Sequence, residues 1–479
     1  MKKYILTILS AALFVSCSED FLDKQPQDLI SADQLSDVIK NYPEKALTIV
    51  EGAESGNNKY LIQFNTNGAG AHDDFGYMSV KLGLDHMTND FVATASHWFN
   101  SYYMYVARQE SNSRNLMVWK FNYKVIYNMN NVLALIPADA NDESVLQIKG
   151  RALAMRAQAY LDLIRLYGNG DEGIPYYSQE LYDSSRVPTN VVYQNIENDL
   201  IEAYNLLQNY NPTSKQMISK NVVAGFLSRL YLTTGNNTAA AQYANAARQG
   251  YAPMNETQLK DGFDDISNPE WMWGGDIDGS TSTSYASFFS NIGNLNDGYA
   301  GLLQVYKGID KRFYDALPDT DLRKNNWFVA AGNSYGLPAY ANIKFVDATF
   351  FVGDYVFMRA AEMYFNEAEA LALSGNEAKA KEVLFEIMST RDTAYQLSTN
   401  SGQALLNEIR LNKRVEMWGE GTTFFDMKRW NEGLDRTYTG SNHGTHGLLN
   451  YPSGSPKFTF QIPISEMNTN TSIVNQNPF

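Results

Sequence analysis

The sequence predicts a mainly α-helical fold, in which helical hairpins form a scaffold that carries long irregular loops and a few short strands. Three observations support this fold class. Apolar residues recur at helical spacing in several segments, two helix–glycine–helix segments resemble each other, and two long stretches rich in Gly, Asn, Asp and Ser interrupt the helical pattern. With 479 residues, of which 44% are hydrophobic and 19% are charged, the chain has the composition of a globular protein.

Two segments carry the clearest helical pattern. The first, KGRALAMRAQAYLDLIRLYGNGDEGIP, places apolar residues at alternating spacings of four and three and is ended by Gly168. The second, FMRAAEMYFNEAEALALSGN, has the same spacing and ends at Gly375. The residues on the predicted helix faces are Leu153, Ala157, Tyr160, Ile164 and Tyr167 in the first segment, and Phe357, Ala361, Tyr364, Ala368 and Leu371 in the second.

Two other stretches, LTTGNNTAAAQYANAA and ALSGNEAKAKEVLFEI, resemble each other around a Gly-Asn pair. Counted from Gly235 or Gly375, each has an alanine five positions later and an apolar or aromatic residue eight positions later. This helix–glycine turn–helix pattern resembles a tetratricopeptide hairpin, which buries its apolar face by stacking on its neighbours. The sequence between the two stretches is too long for a regular repeat of about 34 residues. We therefore expect several degenerate hairpins.

Residues 60–100 and 261–354 have a different character. Both stretches are rich in Gly, Asn, Asp, Ser and aromatic residues, which predicts irregular loops. Long loops inside a compact protein are usually functional, so binding residues are expected here. The segments NWFVAA and ANIKFVD are predicted as short strands that cross the second stretch. Trp271 and Trp273 alternate as on a strand with both side chains on one face, and we assign them to the core.

The N-terminus contains the only cysteine of the chain, Cys17. Two lysines, an apolar stretch and the small residue Ser16 precede it, which is the layout of a secretory signal. We therefore predict a signal peptide over residues 1–16 and lipidation of Cys17, which would hold the protein on a membrane without spanning it. The acidic pair Glu19 and Asp20 resembles the signal that exports lipoproteins of Bacteroidetes-type bacteria to the outer face of the outer membrane. The alternative is an ordinary cleaved signal with an incidental cysteine.

Charge and cysteine content exclude several functions. The formal net charge of −15 disfavours nucleic acid as a partner, because an acidic surface repels phosphate backbones. A lipidated Cys17 has no free thiol, which excludes cysteine catalysis, disulfides and thiolate metal sites. Past residue 16, the sequence has no apolar run long enough to cross a bilayer.

Five motifs, in this order, resemble the SusD/RagB family of outer-membrane nutrient-binding lipoproteins. They are CSEDFLDKQPQ, RALAMRAQAYLDLIRLYG, YVFMRAAEMYFNEAEAL, IRLNKRVEMWGEGTTFFDMKRW and FQIPISEMNTNTSIVNQNPF, which together span nearly the whole chain. One departure follows Gly421, where Thr422 and Thr423 replace a His-Arg pair that is common in the family. It affects one local cluster of hydrogen bonds.

The resemblance implies a single SusD-like domain over residues 17–479, with four tetratricopeptide-like hairpins and loop excursions near 60–100 and 261–354. It also implies a partner, a SusC-like TonB-dependent transporter in the outer membrane, to which the protein delivers an oligosaccharide, polysaccharide or peptide. Such proteins bind without catalysis, so we expect no catalytic residue, no cofactor and no metal. The expected location is the outer membrane, with the lipid-anchored protein facing the exterior.

Carbohydrate binding requires flat aromatic rings for the C–H faces of the sugar, and polar side chains nearby for its hydroxyl groups. Trp98, in SHWFN, is the first choice for an aromatic platform. The other ligand-binding candidates are the aromatics Tyr299, Trp327 and Tyr340 and the polar residues Asp73, Asp74 and Lys81. Ordinary packing is the alternative for each aromatic, because Tyr and Trp often pack partly buried with a polar tip exposed.

A cluster of charges lies in IRLNKRVEMWGEGTTFFDMKRW. It comprises Arg410, Arg414, Arg429, Glu416, Glu420 and Asp426. A catalytic carboxylate pair is conceivable there, but we favour a structural ion network, because long charged side chains commonly pair on helix faces. His443 and His446 lie three positions apart in a glycine-rich segment, which we interpret as a surface loop because no further metal ligand is evident. The segment that begins at Asp276 faintly resembles a calcium loop but lacks the distal glutamate.

Two other functions remain open at this point. A lipid-anchored glycoside hydrolase would need two essential carboxylates and would degrade its ligand. A helical-repeat adaptor would bind only proteins, and its loop aromatics could be replaced without loss of small-ligand binding. The order of the five motifs favours the nutrient-binding lipoprotein.

Overall fold

Helices provide most of the regular structure of the protein. The computed structural model describes residues 45–479, together with residues 35, 38, 39, 41 and 42. The predicted signal peptide, residues 1–16, and Cys17 lie outside the described residues. The division into a signal peptide and one domain over residues 17–479 therefore stays a prediction.

The helices of the first half of the chain are α1 (Ala46–Tyr60), α2 (Tyr77–Asp85), α3 (Asn100–Tyr103), α4 (Ser113–Ala134), α5 (Glu143–Tyr167), α6 (Thr189–Leu206), α7 (Lys220–Thr234) and α8 (Asn237–Arg248). The helices of the second half are α9 (Phe288–Ile292), α10 (Tyr299–Leu302), α11 (Lys311–Ala316), α12 (Leu322–Asn326), α13 (Ala360–Leu373), α14 (Glu377–Met388), α15 (Gly402–Glu416), α16 (Thr423–Arg429) and α17 (Ile464–Thr469). The mainly α-helical prediction is confirmed.

The strands are short and pair two by two. They are β1 (Phe91–Ala93), β2 (Glu172–Tyr177), β3 (Tyr182–Pro188), β4 (Trp271–Gly275), β5 (Lys307–Ile309), β6 (Tyr355–Arg359), β7 (Leu434–Asp435) and β8 (Asn450–Tyr451). Within the described part of the chain they form four antiparallel pairs, β1–β5, β2–β3, β4–β6 and β7–β8. The β1–β5 pair, in which Phe91 is opposite Ile309, joins the first loop stretch to the second.

The two predicted hairpins are confirmed. Helices α7 and α8 are joined at Gly235, and helices α13 and α14 at Gly375. Both glycines have left-handed backbone torsions, with φ of 81° and 82°, which a side chain would disfavour. Ala240 and Ala380, five positions after each glycine, are fully buried. These small residues therefore lie where the hairpins pack closely, in agreement with a tetratricopeptide-like scaffold.

Three sequence-based assignments are wrong. Phe357 lies on strand β6 and not on a helix, because pairing with β4 keeps the backbone extended until α13 begins at Ala360. The segments NWFVAA and ANIKFVD are not strands. They meet at one isolated bridge, Phe328–Asn342, beside which the amide of Val329 donates to the carbonyl of Ala341 and the amide of Ile343 donates to the carbonyl of Trp327. Residues 60–100 are not all loop, since they contain the fully buried helix α2. For Phe357, a long-range strand pairing decides the local structure.

The predicted structural ion network is confirmed, and it is deeply buried. Glu416 accepts hydrogen bonds from Arg359 at 2.6 Å, from Arg391 at 2.8 Å and from Arg323 at 3.2 Å. Burial alone would raise the pKa of Glu416, but the three guanidinium groups hold it well below its usual range. Glu420 is also buried and bonds Arg359 at 2.8 Å. The remaining charges of the predicted cluster pair with Glu369, Asp426, Lys413, Asp90 and Glu432.

Two further predictions concern the core. Trp271 and Trp273 are buried on β4, as expected. The interpretation of His443 as part of a surface loop is wrong. Its side chain is buried, with Nδ1 at 2.6 Å from the Tyr103 hydroxyl and Nε2 at 3.1 Å from Asp310. These two partners come from distant parts of the sequence, so the local glycine-rich composition gave no sign of them.

Candidate functional site

An open cleft of about 360 Å³ lies between the segment before α3 and the start of α4. Its lining residues are Asp73, His97, Trp98, Phe99, Asn100, Ser101, Asn112 and Arg114. The cleft combines an aromatic ring, an imidazole, a guanidinium, a carboxylate, a hydroxyl and amide groups. This mixture provides both a flat apolar surface and many hydrogen-bonding atoms.

Trp98 lies at a tight turn that the neighbouring residue stabilises. Phe99 has a left-handed φ of 67°, a conformation that is strained for a bulky residue. Its ring is buried and stacks on His86 with a centroid separation of 5.1 Å, which holds the turn in place. Trp98 is only partly buried, because Phe99 takes the position in the core and leaves the indole at the cleft.

Trp98 belongs to a cluster of rings from both loop stretches. The indole stacks on His72 with a centroid separation of 5.7 Å and an interplanar angle of 19°. Tyr299 approaches the indole edge-on at 6.3 Å, and its hydroxyl lies 2.7 Å from Nδ1 of His72. His97 completes the cluster at 5.7 Å from Trp98. Two of the predicted aromatic platforms, Trp98 and Tyr299, are therefore brought together.

Asp73 and Arg114 form the charged part of the cleft. The guanidinium donates two hydrogen bonds to the carboxylate, from Nε at 2.8 Å and from Nη2 at 2.6 Å. It also lies 5.8 Å from the centroid of the Trp98 ring, within range of a cation–π interaction. The side chain of Asn112 caps α4 by accepting a hydrogen bond from the Arg114 amide, which fixes the backbone position from which the arginine side chain extends. The paired charges therefore sit beside the ring in a defined orientation.

Several polar atoms at the cleft are buried without a hydrogen-bond partner among the described residues. They are Nε1 of Trp98, Nδ1 of His97 and Oδ1 of Asn100. Most buried polar atoms in native proteins are paired, so such a group of exceptions at one cleft points to a ligand or to water. Burial lowers the pKa of His97, which keeps the imidazole neutral at neutral pH.

Two of the predicted ligand-binding residues, Trp327 and Lys81, are buried outside the cleft. Trp327 is fully buried, and its Nε1 donates to the carbonyl of Leu259 at 2.7 Å, so its assignment as a platform is wrong. Lys81 is also wrong as a ligand contact, because its Nζ is buried and donates to the carbonyl of Phe357 at 2.7 Å. Burial lowers the pKa of this lysine to about 8.

Asp74 and Tyr340 also lie outside the lining of the cleft. Asp74 is buried and accepts hydrogen bonds from the Thr66 hydroxyl at 2.6 Å and from the Asn67 amide at 2.8 Å, so it stabilises its own loop and its assignment as a ligand contact is wrong. Tyr340 is partly buried against Tyr314, with ring centroids 5.1 Å apart. It remains a prediction that the cleft does not support.

Sequence reasoning missed His72, His97 and Arg114. The two histidines lie in the stretches that supplied Asp73 and Trp98, so their neighbourhood was a usable signal. Arg114 opens a long amphipathic helix, and nothing in its local sequence distinguishes it from a solvent-exposed arginine. Only the fold brings it to Asp73.

Among the helices that the structure describes, none is both long and apolar enough to cross a membrane. Within the same residues, no three His, Cys, Asp or Glu side chains come together as a site for a metal ion.

Comparisons with known proteins agree with this architecture. A family model described as starch-binding and associating with the outer membrane matches residues 41–232, and the SusD family model matches residues 344–479. The structure of a SusD-like carbohydrate-binding protein from Bacteroides vulgatus is 26% identical, with a TM-score of 0.77 over 89% of this chain and 97% of the other. No curated protein sequence matches the chain.

Two structures from Bacteroides thetaiotaomicron share the fold at lower identity. A SusD superfamily protein is 21% identical, with a TM-score of 0.75 over 90% of this chain and 100% of the other. Surface glycan-binding protein A, solved with laminarihexaose, is 15% identical, with a TM-score of 0.71 over 90% of this chain and 99% of the other. The helical scaffold, the ordered motifs and the two family models give one result: the chain belongs to the SusD/RagB family.

Proposed function

We propose that the protein is a surface lipoprotein that binds an oligosaccharide or polysaccharide in the Trp98 cleft and delivers it to a SusC-like TonB-dependent transporter of the outer membrane. The observation that carries the binding part is the partly buried Trp98, set among His72, Tyr299 and the Asp73–Arg114 pair. An indole face packs against the C–H face of a sugar ring. The adjacent guanidinium and amides bond its hydroxyl groups, and Asp73 orients the guanidinium.

The charge of the cleft favours a neutral glycan. Arg114 is the only Lys or Arg side chain among the described lining residues, and Asp73 already pairs with it through two hydrogen bonds. His97 is neutral, since burial lowers its pKa. No unpaired cation therefore lines the cleft within the described residues to bind a uronate or sulfate group. The net charge of −15 adds a general repulsion of polyanions.

The same residues favour binding over hydrolysis. Glycosidases use two carboxyl groups that flank the scissile bond. Among the described residues that line the cleft, Asp73 is the only carboxylate, and the guanidinium of Arg114 occupies both of its oxygens. Glu416, Glu420 and Asp426 are buried in ion pairs and do not line it. We therefore propose capture without catalysis.

The membrane part of the proposal rests on the sequence and on the family. Cys17 follows a short apolar stretch at the point where a lipoprotein signal is cleaved. One matching family model is described as associating with the outer membrane. Lipid on Cys17 would hold the binding domain at the surface, beside the transporter that receives the glycan.

Affinity electrophoresis tests the binding and the absence of catalysis together. The detergent-solubilised protein runs through native gels cast with laminarin, soluble starch, arabinoxylan, galactomannan, levan or pectin, and each polymer is then examined for shortened products. We expect retardation by a neutral polymer, no shortened products, and loss of retardation in Trp98→Ala. The exposed tyrosine variant Tyr182→Ala is the matched control and should migrate like the wild type.

Three outcomes would contradict the proposal at different points. Shortened products in the wild-type lane would indicate a hydrolase. Retardation by pectin alone would contradict the neutral ligand. The absence of retardation by every polymer would redirect the search to peptide cargo.

A further inference from the structure

A second cleft, of about 260 Å³, is lined by residues of helices α5, α6, α7 and α16. It shares no lining residue with the Trp98 cleft. Its lining residues are Ile164, Arg165, Gly168, Gly170, Thr189, Tyr193, Thr233, Phe425, Lys428 and Arg429. Three of these side chains are basic, and none of the described lining residues is acidic. In a chain with a net charge of −15, this cleft is a local concentration of positive charge.

Lys428 is the basic residue of this cleft that lacks a counterion. Its Nζ donates a hydrogen bond to the carbonyl of Arg165, and no carboxylate of the described residues forms an ion pair with it. Burial, with a smaller contribution from the charge of Arg165, lowers the pKa of Lys428 to about 7. A bound anion would supply the missing counterion and favour the charged form of the lysine.

Arg165 is held in a fixed orientation at the cleft. Its side chain is only 10% exposed, and it donates hydrogen bonds from Nη2 to Asp162 at 2.5 Å and from Nε to the carbonyl of Leu161 at 3.2 Å. The guanidinium also lies 3.6 Å from the centroid of the Phe425 ring. Nη1, in contrast, forms no hydrogen bond with a described residue. An unpaired donor on a side chain this deeply buried points to a ligand or to water.

Helix α6 contributes further donors. The hydroxyl of Tyr193 forms no hydrogen bond with a described residue, and burial raises its pKa, so it remains a donor. The helix begins at Thr189, and no side chain caps its N-terminus. Its first turn contains no acidic residue. The N-terminus of this 18-residue helix therefore adds positive potential beside the basic side chains.

The cleft continues into a larger one of about 480 Å³, with which it shares Gly170, Thr189 and Tyr193. The carboxylates of this adjoining cleft are Asp171 and Glu197. They would repel an anionic group, whereas they can accept hydrogen bonds from neutral hydroxyl groups. The uncharged polar residues that line the adjoining cleft are Asn190, Gln194, Tyr231, Thr234 and Asn236. The two clefts together therefore suit a ligand that is anionic at one end and hydroxylated at the other.

We propose that the basic cleft binds the phosphate group of a small phosphomonoester, such as a sugar phosphate, whose neutral part occupies the adjoining cleft. Arg165 and Lys428 supply charged donors to the phosphate oxygens, and Tyr193 supplies a neutral one. The site is separate from the Trp98 cleft, so this inference does not rest on the proposed function. The net charge of −15 disfavours a polymer with many phosphates, which is why a small ligand is expected.

Calorimetry in a phosphate-free buffer of low ionic strength tests the proposal. Glucose 1-phosphate, inorganic phosphate and glucose are titrated into the detergent-solubilised protein. We expect glucose 1-phosphate to bind most tightly, inorganic phosphate next and glucose most weakly. Lys428→Gln retains a donor for the Arg165 carbonyl but removes the charge, so affinity for glucose 1-phosphate should fall about tenfold or more. Tyr193→Phe removes a neutral donor and should lower the affinity by a few-fold.

Two control variants locate the binding. Lys379→Gln makes the same change in net charge at an exposed position and should leave the affinity for glucose 1-phosphate unchanged. Trp98→Ala should also leave it unchanged, because Trp98 does not line this cleft. Melting temperatures establish that each variant is folded.

Three results would overturn the proposal. If the wild type binds neither phosphate compound, or if folded Lys428→Gln and Tyr193→Phe both bind with wild-type affinity, the basic cleft is not the site. Equal affinity for inorganic phosphate and glucose 1-phosphate would remove the role of the adjoining cleft. Loss of phosphate binding in Trp98→Ala would assign the phosphate to the Trp98 cleft. None of these results depends on whether a polysaccharide retards the protein, so the proposed function is tested separately.

Discussion

Neutralising Glu416 provides a quantitative test of the buried ion network. Around this residue, the cations Arg323, Arg359, Arg391 and Lys344 are balanced by the anions Asp321, Glu270, Glu416 and Glu420. The side chains of all eight are at most 2% exposed. Glu416→Gln keeps the shape of the side chain and removes one of the four negative charges. One buried cation is then left without compensation.

The expected cost follows from that imbalance. Breaking a buried ion pair by removing one partner typically costs about 3–5 kcal/mol, because the remaining charge stays desolvated. Glu416 contacts three guanidinium groups, so we expect the free energy of unfolding to fall by about 4 kcal/mol. Glu382→Gln is the control. Its pair with Lys379 is more than half exposed on both sides, and it should change stability by less than about 1 kcal/mol.

Urea unfolding followed by tryptophan fluorescence measures both variants. The buried Trp271, Trp273 and Trp418 report on the core around the network. We expect the urea midpoint of Glu416→Gln to fall on the order of 1 M relative to the wild type. Glycan affinity of the folded variant should stay unchanged, because Glu416 does not line the cleft. Equal midpoints for the two variants would refute the network as a source of stability. If the wild type shortened a polymer and Glu416→Gln lost that activity without losing stability, a hydrolase would be favoured.

Three further predictions concern the acid limit, the cleft and the anchor. Burial would raise the pKa of Asp426, but Arg429 and Lys413 lower it to about 2. The ionised carboxylate therefore stabilises the folded state by about 2–3 kcal/mol. This stabilisation is complete above about pH 4 and is lost as the pH falls toward 2. Asp426→Asn should therefore flatten the fall of the melting temperature over that range, and a profile parallel to that of the wild type would contradict this. Arg114→Lys cannot form the two-hydrogen-bond pair with Asp73, so glycan affinity should drop several-fold in calorimetry while the melting temperature barely changes. Cys17→Ala should move the protein from the membrane fraction to the soluble fraction, and continued sedimentation with membranes would count against lipid anchoring.

The elements that sequence predicted well are those decided locally. Helix α5 follows the spacing of its apolar residues and ends at Tyr167, just before Gly168, and the two hairpins turn at glycines whose left-handed φ values favour that residue. A glycine turn between amphipathic segments is visible without any knowledge of the tertiary structure. Phe357 shows the limit of this reasoning, because its spacing fits a helix while its pairing with a distant strand makes it extended.

The site was predictable in part for the same reason. Composition identified the two loop stretches, and Trp98 does meet both Tyr299 and Asp73 there. Composition could not separate Trp98 from Trp327, because both lie in polar, glycine-rich neighbourhoods. The difference arises from long-range contacts: the Trp327 ring packs against Phe263 and Lys344, and its indole donates to the carbonyl of Leu259, which secures that ring in the core.

The pairing of β1 with β5 explains why two separate loop stretches form one site. This short ladder places residues 91–93 beside residues 307–309, and the amide of Asp310 adds a hydrogen bond to the carbonyl of Asp90 at 2.9 Å. Trp98 follows one strand and Tyr299 precedes the other, so their rings meet above the junction. Asp90 also pairs with Arg414 on α15, which connects this junction to the helical scaffold. Substitutions of Trp98 or Tyr299 should therefore change ligand preference without loss of stability. Asp90→Asn should reduce both the ligand affinity and the melting temperature, because it loosens the junction that holds the two loop stretches together.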